Sequence, residues 1–202
     1  IVEKERKRIA RDLHDTVSQE IFAAHMILSG LSQQASRIDK EKMQTQLQSV
    51  TAILETAQRD LRILLLHLRP IELEQKSLVE GIQLLLKELE EKSELKVSFK
   101  YQVDELPKKI EEHVFRIVQE LISNTLRHAQ ASCLDVYLYQ TETGLQLKVV
   151  DNGRGFQLDD VDELSYGLRN IKERVEDMAG SIQLLTAPKQ GLAVDIRIPL
   201  LD

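Results

Sequence analysis

The chain has 202 residues, of which 42% are hydrophobic and 30% are charged, a balance typical of a globular protein of one or two domains. A formal net charge of −6, the absence of Trp and an aromatic content of 4% argue against direct binding of nucleic acid or anionic lipid. The single cysteine, Cys133, excludes an internal disulfide and a cysteine-based metal cluster.

The first third of the chain is predicted to form two long helices. Residues 3–31 place apolar side chains at spacings of three and four, and a polar turn at 32–39 follows with Asp39 as candidate N-cap. The second helix ends near Leu68, because Pro70 cannot continue it. Its apolar residues keep an unbroken heptad spacing: Met43, Leu47, Val50, Leu54, Ala57, Leu61, Leu64 and Leu68.

Two long helices joined by a short turn form an antiparallel hairpin. One hairpin has too little interior to bury both apolar stripes, whereas two hairpins packed as a four-helix bundle complete a core. The sequence therefore predicts an all-α domain over residues 1–73 that assembles as a homodimer.

Residues 74–202 change in character and predict a second domain of the α+β class, with strands in one layer and helices in the other. Helices are predicted at 77–93, 107–129 and 168–179, the last ended by Gly180. Strands are predicted at 95–101, 134–140, 145–151, 182–186 and 193–199, with a hairpin turn at 142–144 and a loop at 153–166.

The chain begins with Ile1 and within a helical pattern, and it contains no signal peptide. It also lacks an apolar run of the roughly 20 residues that a membrane span needs. We therefore expect a soluble cytoplasmic piece of a longer protein, whose sensory or membrane part lies upstream.

A His-Asp pair, His14-Asp15, lies in the first predicted helix directly after the apolar Leu13. Successive helical residues are rotated by about 100°, so His14 lies at the edge of the apolar seam, held by packing yet reachable. A histidine that accepts a phosphoryl group from ATP needs this access, and Asp15 can take the proton of the other ring nitrogen. Gln19 is four residues after Asp15 and shares its face, where the pair can position a water. Taken alone, the motif is more typical of a polar pair on a solvated helix surface than of a phosphoacceptor.

A polar stripe follows the predicted helix 107–129, where Glu120, Asn124 and His128 are spaced by four. The neutral carboxamide of Asn124 suits Mg²⁺, which prefers oxygen ligands, without repelling phosphate. Arg127 and His128 are candidate contacts to the phosphate-bearing cofactor. An ordinary solvent-facing stripe gives the same spacing.

Two glycine-containing blocks complete the pattern. Asp151 ends a strand and can accept a hydrogen bond from an exocyclic amine such as that of adenine, while Gly153 and Gly155 let the backbone approach a ligand. Gly167 precedes a helix, followed by Leu168, and the N-terminus of that helix would present free N–H groups to phosphate. Each block alone matches a simple turn or helix start.

The four blocks in this order resemble the H, N, G1 and G2 boxes of bacterial two-component sensor histidine kinases, whose ATP-binding fold is shared with gyrase, Hsp90 and MutL. The resemblance covers nearly the whole chain and is closest to the subfamily with His-Asp in place of His-Glu. Residues 165–174 look like the Gram-positive cell-envelope-stress sensors of the LiaS/VraS type.

The resemblance implies a protein-histidine autokinase that uses ATP and Mg²⁺ at the cytoplasmic face of the cell membrane. It implies a response regulator with a helix-turn-helix output domain as partner, which receives the phosphate on an aspartate and is also dephosphorylated. By the same resemblance, His14 is the phosphoacceptor, Asp15 is the general base, and Gln19 acts with Asp15 in the phosphatase reaction. Asn124 is the Mg²⁺ ligand, assisted by Glu120, and Asp151 is the adenine contact. The nucleotide pocket and its lid include Gly153, Gly155, Gly167 and Leu168.

Two positions depart from the family pattern. Gly191-Leu192 stands where many members carry Gly-Thr, so a hydroxyl near adenine is lost, and Ser165 replaces a glycine of the G2 box. The acidic stretch at 159–163 in the lid is interpreted as a solvated loop. Two alternative hypotheses remain: a dimeric docking scaffold with a degenerate nucleotide domain, and a serine-phosphorylating anti-sigma-type kinase, against which the heptad hairpin argues.

Overall fold

The computed structural model describes residues 2–34, 38–68, 76–157 and 166–200. Inside these ranges, the side chains of residues 2–15, 64–68, 92 and 166 lie outside the description. The chain divides into two compact units, Ile1–Arg69 and Pro70–Asp202.

The first unit is a hairpin of two long helices, α1 (Val2–Gln34) and α2 (Lys40–Leu68), which pack along each other. The first helix extends three residues beyond the predicted end, so residues 32–34 are helical and not part of the turn. Such differences at helix ends are common because the last turn depends on local capping. The second helix begins after Asp39, whose carbonyl accepts a hydrogen bond from the Met43 N–H at 2.9 Å.

The apolar seam of the hairpin is only half buried. Val17, Ala24 and Leu31 of α1 are buried together with Val50 and Ala57 of α2. The core also contains Ile63, which the heptad pattern did not include. The intervening seam positions face outward with 41% to 52% of their side chains exposed: Ile21, Leu28, Leu47, Leu54 and Leu61.

In its described residues, the second unit is a mixed five-stranded sheet with three α-helices. The strand order is β1-β2-β3-β5-β4, with β1 parallel to β2 and every other pair antiparallel. In chain order the elements are α3 (Leu78–Lys92), β1 (Lys96–Gln102), α4 (Lys108–Asn124), which continues as a π-helical segment (Thr125–Ala129), β2 (Cys133–Thr141), β3 (Gly144–Asp151), α5 (Tyr166–Asp177), β4 (Ser181–Thr186) and β5 (Leu192–Ile198).

The core of this unit lies between the sheet and the helices, as the two-layer α+β prediction requires. Alternate strand residues point to the helices and are buried, while their neighbours on the other face are partly exposed, which is the period-two pattern of a sheet covered on one side. The fully buried side chains come from both layers and include Ile82, Ile117, Ile122, Leu134, Leu138, Leu147, Ile171 and Ile196.

The start of α3 is fixed by a capping box. The Ser77 side chain accepts a hydrogen bond from the Glu80 N–H at 3.3 Å, and the Glu80 carboxylate accepts one from the Ser77 N–H at 2.8 Å. The hydrogen bond from the Ser77 backbone holds the pKa of Glu80 below its usual value. The buried Glu111 of α4 accepts the Leu78 N–H at 3.2 Å, so α4 and the start of α3 are held together.

The C-terminus of α5 differs from the prediction that Gly180 ends it. The helix ends at Asp177, and Ala179 adopts the left-handed conformation with φ of 53°. The Gly180 N–H then bonds the Val175 carbonyl at 2.9 Å, which is the pattern of a Schellman cap. A Cβ on Gly180 would lie 2.6 Å from the Arg197 carbonyl oxygen, so close packing on the sheet explains the glycine.

Candidate functional site

A cavity of about 250 Å³ opens in the second unit between the end of α4, the end of β3 and the first turn of α5. A second cavity of about 470 Å³ lies around the β2–β3 turn, at the other end of β3, and contains none of the predicted site residues. The residues lining the first cavity are Asn124, Thr125, His128, Ala129, Asp151, Arg154, Gly155, Phe156, Leu168 and Leu192.

Asp151, the last residue of β3, provides a buried carboxylate on the cavity wall and is only 5% exposed. The Gly153 N–H donates to Oδ1 at 2.8 Å, and hydrogen bonding from the Leu192 backbone and the Thr125 side chain favours the charged form of the carboxylate. Burial raises the pKa of Asp151 above its usual value, and these three hydrogen bonds oppose the rise by stabilising the charged form. The result is a desolvated acceptor held in one orientation.

The glycines after Asp151 approach the protein's own backbone. A Cβ on Gly153 would collide with the Ala129 carbonyl, and one on Gly155 with the Ala187 carbonyl. Gly155 also has a φ of +57°, where other residues are strained. The sequence predicts that the backbone at these glycines approaches a ligand. In the structure, both glycines allow the loop after β3 to pack on the end of the π-helical segment and on the β4–β5 turn.

Thr186 connects the loop after β3 to the β4–β5 turn through hydrogen bonds. Its hydroxyl donates to the Gly191 carbonyl at 2.7 Å and accepts the Phe156 N–H at 3.1 Å, while the Lys189 N–H donates to the Arg154 carbonyl at 2.6 Å. These bonds place Phe156 on the cavity wall. Sequence reasoning did not identify Thr186, because the contact joins positions 30 apart and has no local pattern.

The first turn of α5 rests on two oxygen-bearing side chains of α4. A Cβ on Gly167 would collide with Oε1 of Glu120 and would lie 3.2 Å from Oδ1 of Asn124. The glycine thus brings the positive end of a helix directly against Glu120 and Asn124.

These residues fit a Mg²⁺ ion bound together with a phosphate. The buried Nδ2 of Asn124 has no hydrogen-bond partner. Because no hydrogen bond at Nδ2 holds the carboxamide in one orientation, the group can rotate and present Oδ1 to a cation. No group of three His, Cys, Asp or Glu side chains suited to a metal occurs in the described parts of the chain. Mg²⁺ does not require one, since it takes one or two protein oxygens and completes its shell with water and phosphate.

The π-helical segment sets where the residues after Asn124 point. His128 is exposed and lines the cavity, whereas Arg127 is half-buried and does not line it. Leu168, directly after Gly167, is 6% exposed and forms part of the opposite wall. The prediction of one regular helix over 107–129 did not foresee this change of twist, which has no signature in the sequence.

Of the two departures from the family pattern, Leu192 can be located. Its half-buried side chain lines the cavity and its N–H bonds Asp151, so this position still contacts the carboxylate through its backbone. Ser165 and the acidic stretch at 159–163 lie outside the described residues.

The His-Asp motif lies on the first unit. His14 and Asp15 belong to α1, although their side chains are outside the description, and Gln19 is exposed on the same helix.

Two family models match the chain. Residues 5–73 match the histidine kinase model, and residues 109–202 match the model of the histidine kinase-, DNA gyrase B- and HSP90-like ATPase. Each unit thus contains a match, and residues 74–108 lie between the two matched ranges.

Curated relatives match over almost the whole chain. The sensor protein VraS of Staphylococcus epidermidis is 43% identical over 200 residues, which are 99% of this chain and 57% of the relative. VraS of Staphylococcus aureus is 40% identical over the same shares of the two proteins. The chain thus spans little more than half the length of these relatives.

Solved structures share the fold. A histidine kinase domain of Erythrobacter litoralis EL346 superposes with a TM-score of 0.51 at 19% identity, covering 98% of this chain and 94% of the other. The Acinetobacter baumannii histidine kinase AdeS gives 0.53 at 16% identity, with 91% and 96% covered. With both domain models matched in order and relatives at 40% to 43% identity along 99% of its length, this chain belongs to the bacterial sensor histidine kinases, in the group of the VraS sensor proteins.

Proposed function

We propose that this chain is the catalytic region of an ATP-dependent protein-histidine autokinase, which phosphorylates His14 and passes the phosphate to an aspartate of a response regulator. The observation that carries the proposal is the cavity of the second unit. It combines the buried acceptor Asp151 with Asn124 beside a helix N-terminus, in a chain whose first unit carries the His-Asp motif.

The cavity suits an adenine nucleotide. Asp151 accepts a hydrogen bond from the exocyclic amine, and the side chains of Phe156, Leu168 and Leu192 provide apolar surface for the base. The phosphates extend to the first turn of α5, where backbone N–H groups are available. Asn124 and Glu120 would hold Mg²⁺, which neutralises phosphate charge when bound.

The transfer step needs a neutral, oriented imidazole. Asp15 accepts the proton of one ring nitrogen of His14, and the other nitrogen attacks the γ-phosphorus. A nitrogen–phosphorus bond forms as the bond from the γ-phosphorus to the bridging oxygen breaks, and ADP leaves with that oxygen. In the phosphatase reaction, which ends the signal, Asp15 and Gln19 position a water molecule for hydrolysis of the phosphoaspartate of the response regulator.

Incubation with γ-labelled Mg-ATP, followed by acid and base treatment, tests the activity. Phosphohistidine loses its label in acid and keeps it in base, so an acid-labile, base-stable product supports the proposal. Label that survives acid would favour the serine kinase alternative, and an absence of saturable ATP binding would favour the scaffold. The intact hydrogen bonds around Asp151 already speak against a degenerate site.

We also propose that two copies of the first unit pair through the outward half of its apolar seam. Leu47, Leu54 and Leu61 of α2 form a row at heptad spacing that leaves large apolar side chains 41% to 47% exposed. Such a row is typical of a helix that packs against another.

The variant Leu54→Glu is expected to convert the dimer into a monomer, because a carboxylate at the centre of the seam would be buried without a partner. Light scattering coupled to gel filtration measures the mass. Leu185→Glu is the matched control, since Leu185 is 59% exposed on β4 of the second unit. A Leu54→Glu protein that remains dimeric would place the interface elsewhere.

The variant Gly167→Ala is expected to weaken Mg-ATP binding by about tenfold, because the new methyl group collides with Oε1 of Glu120 and pushes that flexible side chain away from the Mg²⁺ it would hold. Titration calorimetry measures the affinity. Gly30→Ala is the control, because a Cβ on Gly30 meets nothing within 4 Å. An unchanged affinity would show that the contact between the α5 N-terminus and α4 is not part of the phosphate site.

A further inference from the structure

His113 is a half-buried imidazole on α4 with an unsatisfied ring nitrogen. Its Nδ1 atom is buried and has no hydrogen-bond partner in the described part of the chain. Buried polar atoms are ordinarily paired, because leaving one unpaired lowers stability. The unpaired nitrogen matters here because a histidine changes its charge near neutral pH.

The imidazole shares a face of α4 with the residues that contact the start of α5. Glu120 and Asn124 follow His113 by about two and three helical turns, so the three side chains point the same way. The first turn of α5 lies against Glu120 and Asn124 at Gly167. The helix α5 packs along α4 from that contact.

The two helices are antiparallel. The end of α4 lies at the cavity through Asn124, whereas Gly180, just after α5, packs on the Arg197 carbonyl at the end of β5 that is away from the cavity. Arg174 lies about two turns into α5 from its first turn, and His113 lies about two turns back along α4. The imidazole therefore faces α5 at the level of Arg174.

The charged groups around the imidazole come from both helices: Lys109 and Glu112 of α4, and Arg174 and Asp177 of α5. Burial, and then the charge of Arg174, hold the pKa of His113 below its usual value. Asp177 opposes this shift, and the smaller effects of Lys109 and Glu112 have opposite signs. The folded chain thus binds this proton less tightly than the unfolded chain, so the packing is stable above the usual histidine pKa and loses stability as pH falls below it.

Protonation makes both ring nitrogens donors. The buried Nδ1 then carries an N–H without an acceptor, and it reaches water only if the ring moves or the helices separate. We propose that His113 is a pH-sensitive switch in the packing of α5 on α4: the neutral imidazole lets the helices pack closely, and the protonated one loosens α5 and, through its first turn, the nucleotide cavity. The effect on the cavity rests on the proposed ATP-binding function, whereas the effect on packing does not.

Hydrogen exchange of backbone amides tests the packing in the full chain without nucleotide. Protection, corrected for the intrinsic exchange rate, is compared at about pH 7.5 and about pH 5.5, on either side of the usual histidine pKa. In the original chain we expect α5 to lose about threefold of its protection at the lower pH, while α3 keeps its own. His113→Gln does not titrate and should keep the protection of α5 at both pH values.

Two further variants complete the comparison. His113→Phe keeps a ring and does not titrate, so it should behave as His113→Gln does. His25→Gln is the matched control, because His25 is exposed on α1 and its replacement should leave the pH dependence of α5 unchanged. The same loss of α5 protection in the original chain and in both His113 variants would overturn the inference, and so would an equal loss in α3 and α5.

Calorimetric titration of Mg-ATP at the same two pH values tests the effect on the cavity. On going to the lower pH, the original chain should lose about threefold more affinity than His113→Gln does. The difference between the two proteins removes the contributions of Asp151 and of the nucleotide, which both share. Equal losses would overturn the link to the cavity. An original chain that loses α5 protection as expected but binds no Mg-ATP would overturn the proposed function and not the switch.

Discussion

Substitution of His14 by Gln is expected to abolish self-phosphorylation while Mg-ATP affinity stays within about twofold of the original, a change of less than about 0.5 kcal/mol. Glutamine preserves a polar helical side chain and lacks a nucleophilic ring nitrogen. The residues that line the cavity proposed for ATP belong to the second unit, so nucleotide binding should not depend on His14. Incorporation of labelled phosphate and calorimetric titration give the two quantities on the same protein.

His25→Gln is the matched control for this experiment. His25 lies on the same helix and is exposed, yet it has no neighbouring carboxylate in the His-Asp pattern. It should incorporate phosphate as the original chain does. Persistent labelling of the His14→Gln protein would assign the acceptor to another residue and refute the proposed phosphotransfer.

Substitution of Asp151 by Asn should weaken ATP binding by about 10- to 100-fold, the range expected for losing a hydrogen bond to a charged group. The carboxamide can still accept one bond from the Gly153 N–H, so the loop conformation is retained. Its amino group, however, cannot accept the adenine amine and places a donor against a donor. Calorimetric titration of Mg-ATP measures the change, with Asp135→Asn on β2 as the control for loss of a half-buried strand carboxylate.

The same substitution should alter the pH dependence of stability. Burial raises the pKa of Asp151, so the folded chain holds this proton more tightly than the unfolded chain does. The free energy of unfolding therefore falls as pH rises from the ordinary aspartate pKa through the raised value, and ATP affinity rises over the same window as the acceptor ionises. Asp151→Asn removes the contribution of Asp151 to both slopes. Denaturant unfolding at a series of pH values measures the first, and identical slopes in the two proteins would contradict the assignment.

The arrangement around Asp151 shows why desolvation and function are linked here. A carboxylate at this depth destabilises the fold, and the three donors from separate segments reduce that cost without removing it. A rigid, water-poor acceptor discriminates between bases better than an exposed one, because a wrong partner leaves a buried group unpaired. In the role proposed for Asp151, its burial lowers the stability of the fold and raises the selectivity for the base.

Much of this protein could be predicted from local patterns. The heptad row on α2 predicted a long helix with an apolar seam, because side chains seven residues apart must share a face. The alternation in β2 and β3 predicted strands covered on one side, because the period of a strand is two. The order of the His-Asp, Asn and glycine blocks predicted the family, which the matches over 99% of the chain confirm.

Other features depend on contacts between residues far apart in sequence. The seam residues are chemically alike, yet Val50 is buried and Leu54 faces outward, because only the packing of α1 decides which half is covered. Gly153 and Gly155 follow Asp151 as in a simple turn. Glycine is required at both positions because the fold brings the carbonyls of Ala129 and Ala187 to where a Cβ would lie.

The sequence by itself therefore determined the helices, the strands, the family and the candidate residues, since each follows from a local period or a short motif. Only the tertiary structure decided which carbonyls crowd Gly153 and Gly155, which helix turn rests on Glu120, and that Thr186 joins two loops. Hydrogen bonds and steric contacts require atoms to lie within a few ångströms, and chain folding sets those distances without leaving a local pattern.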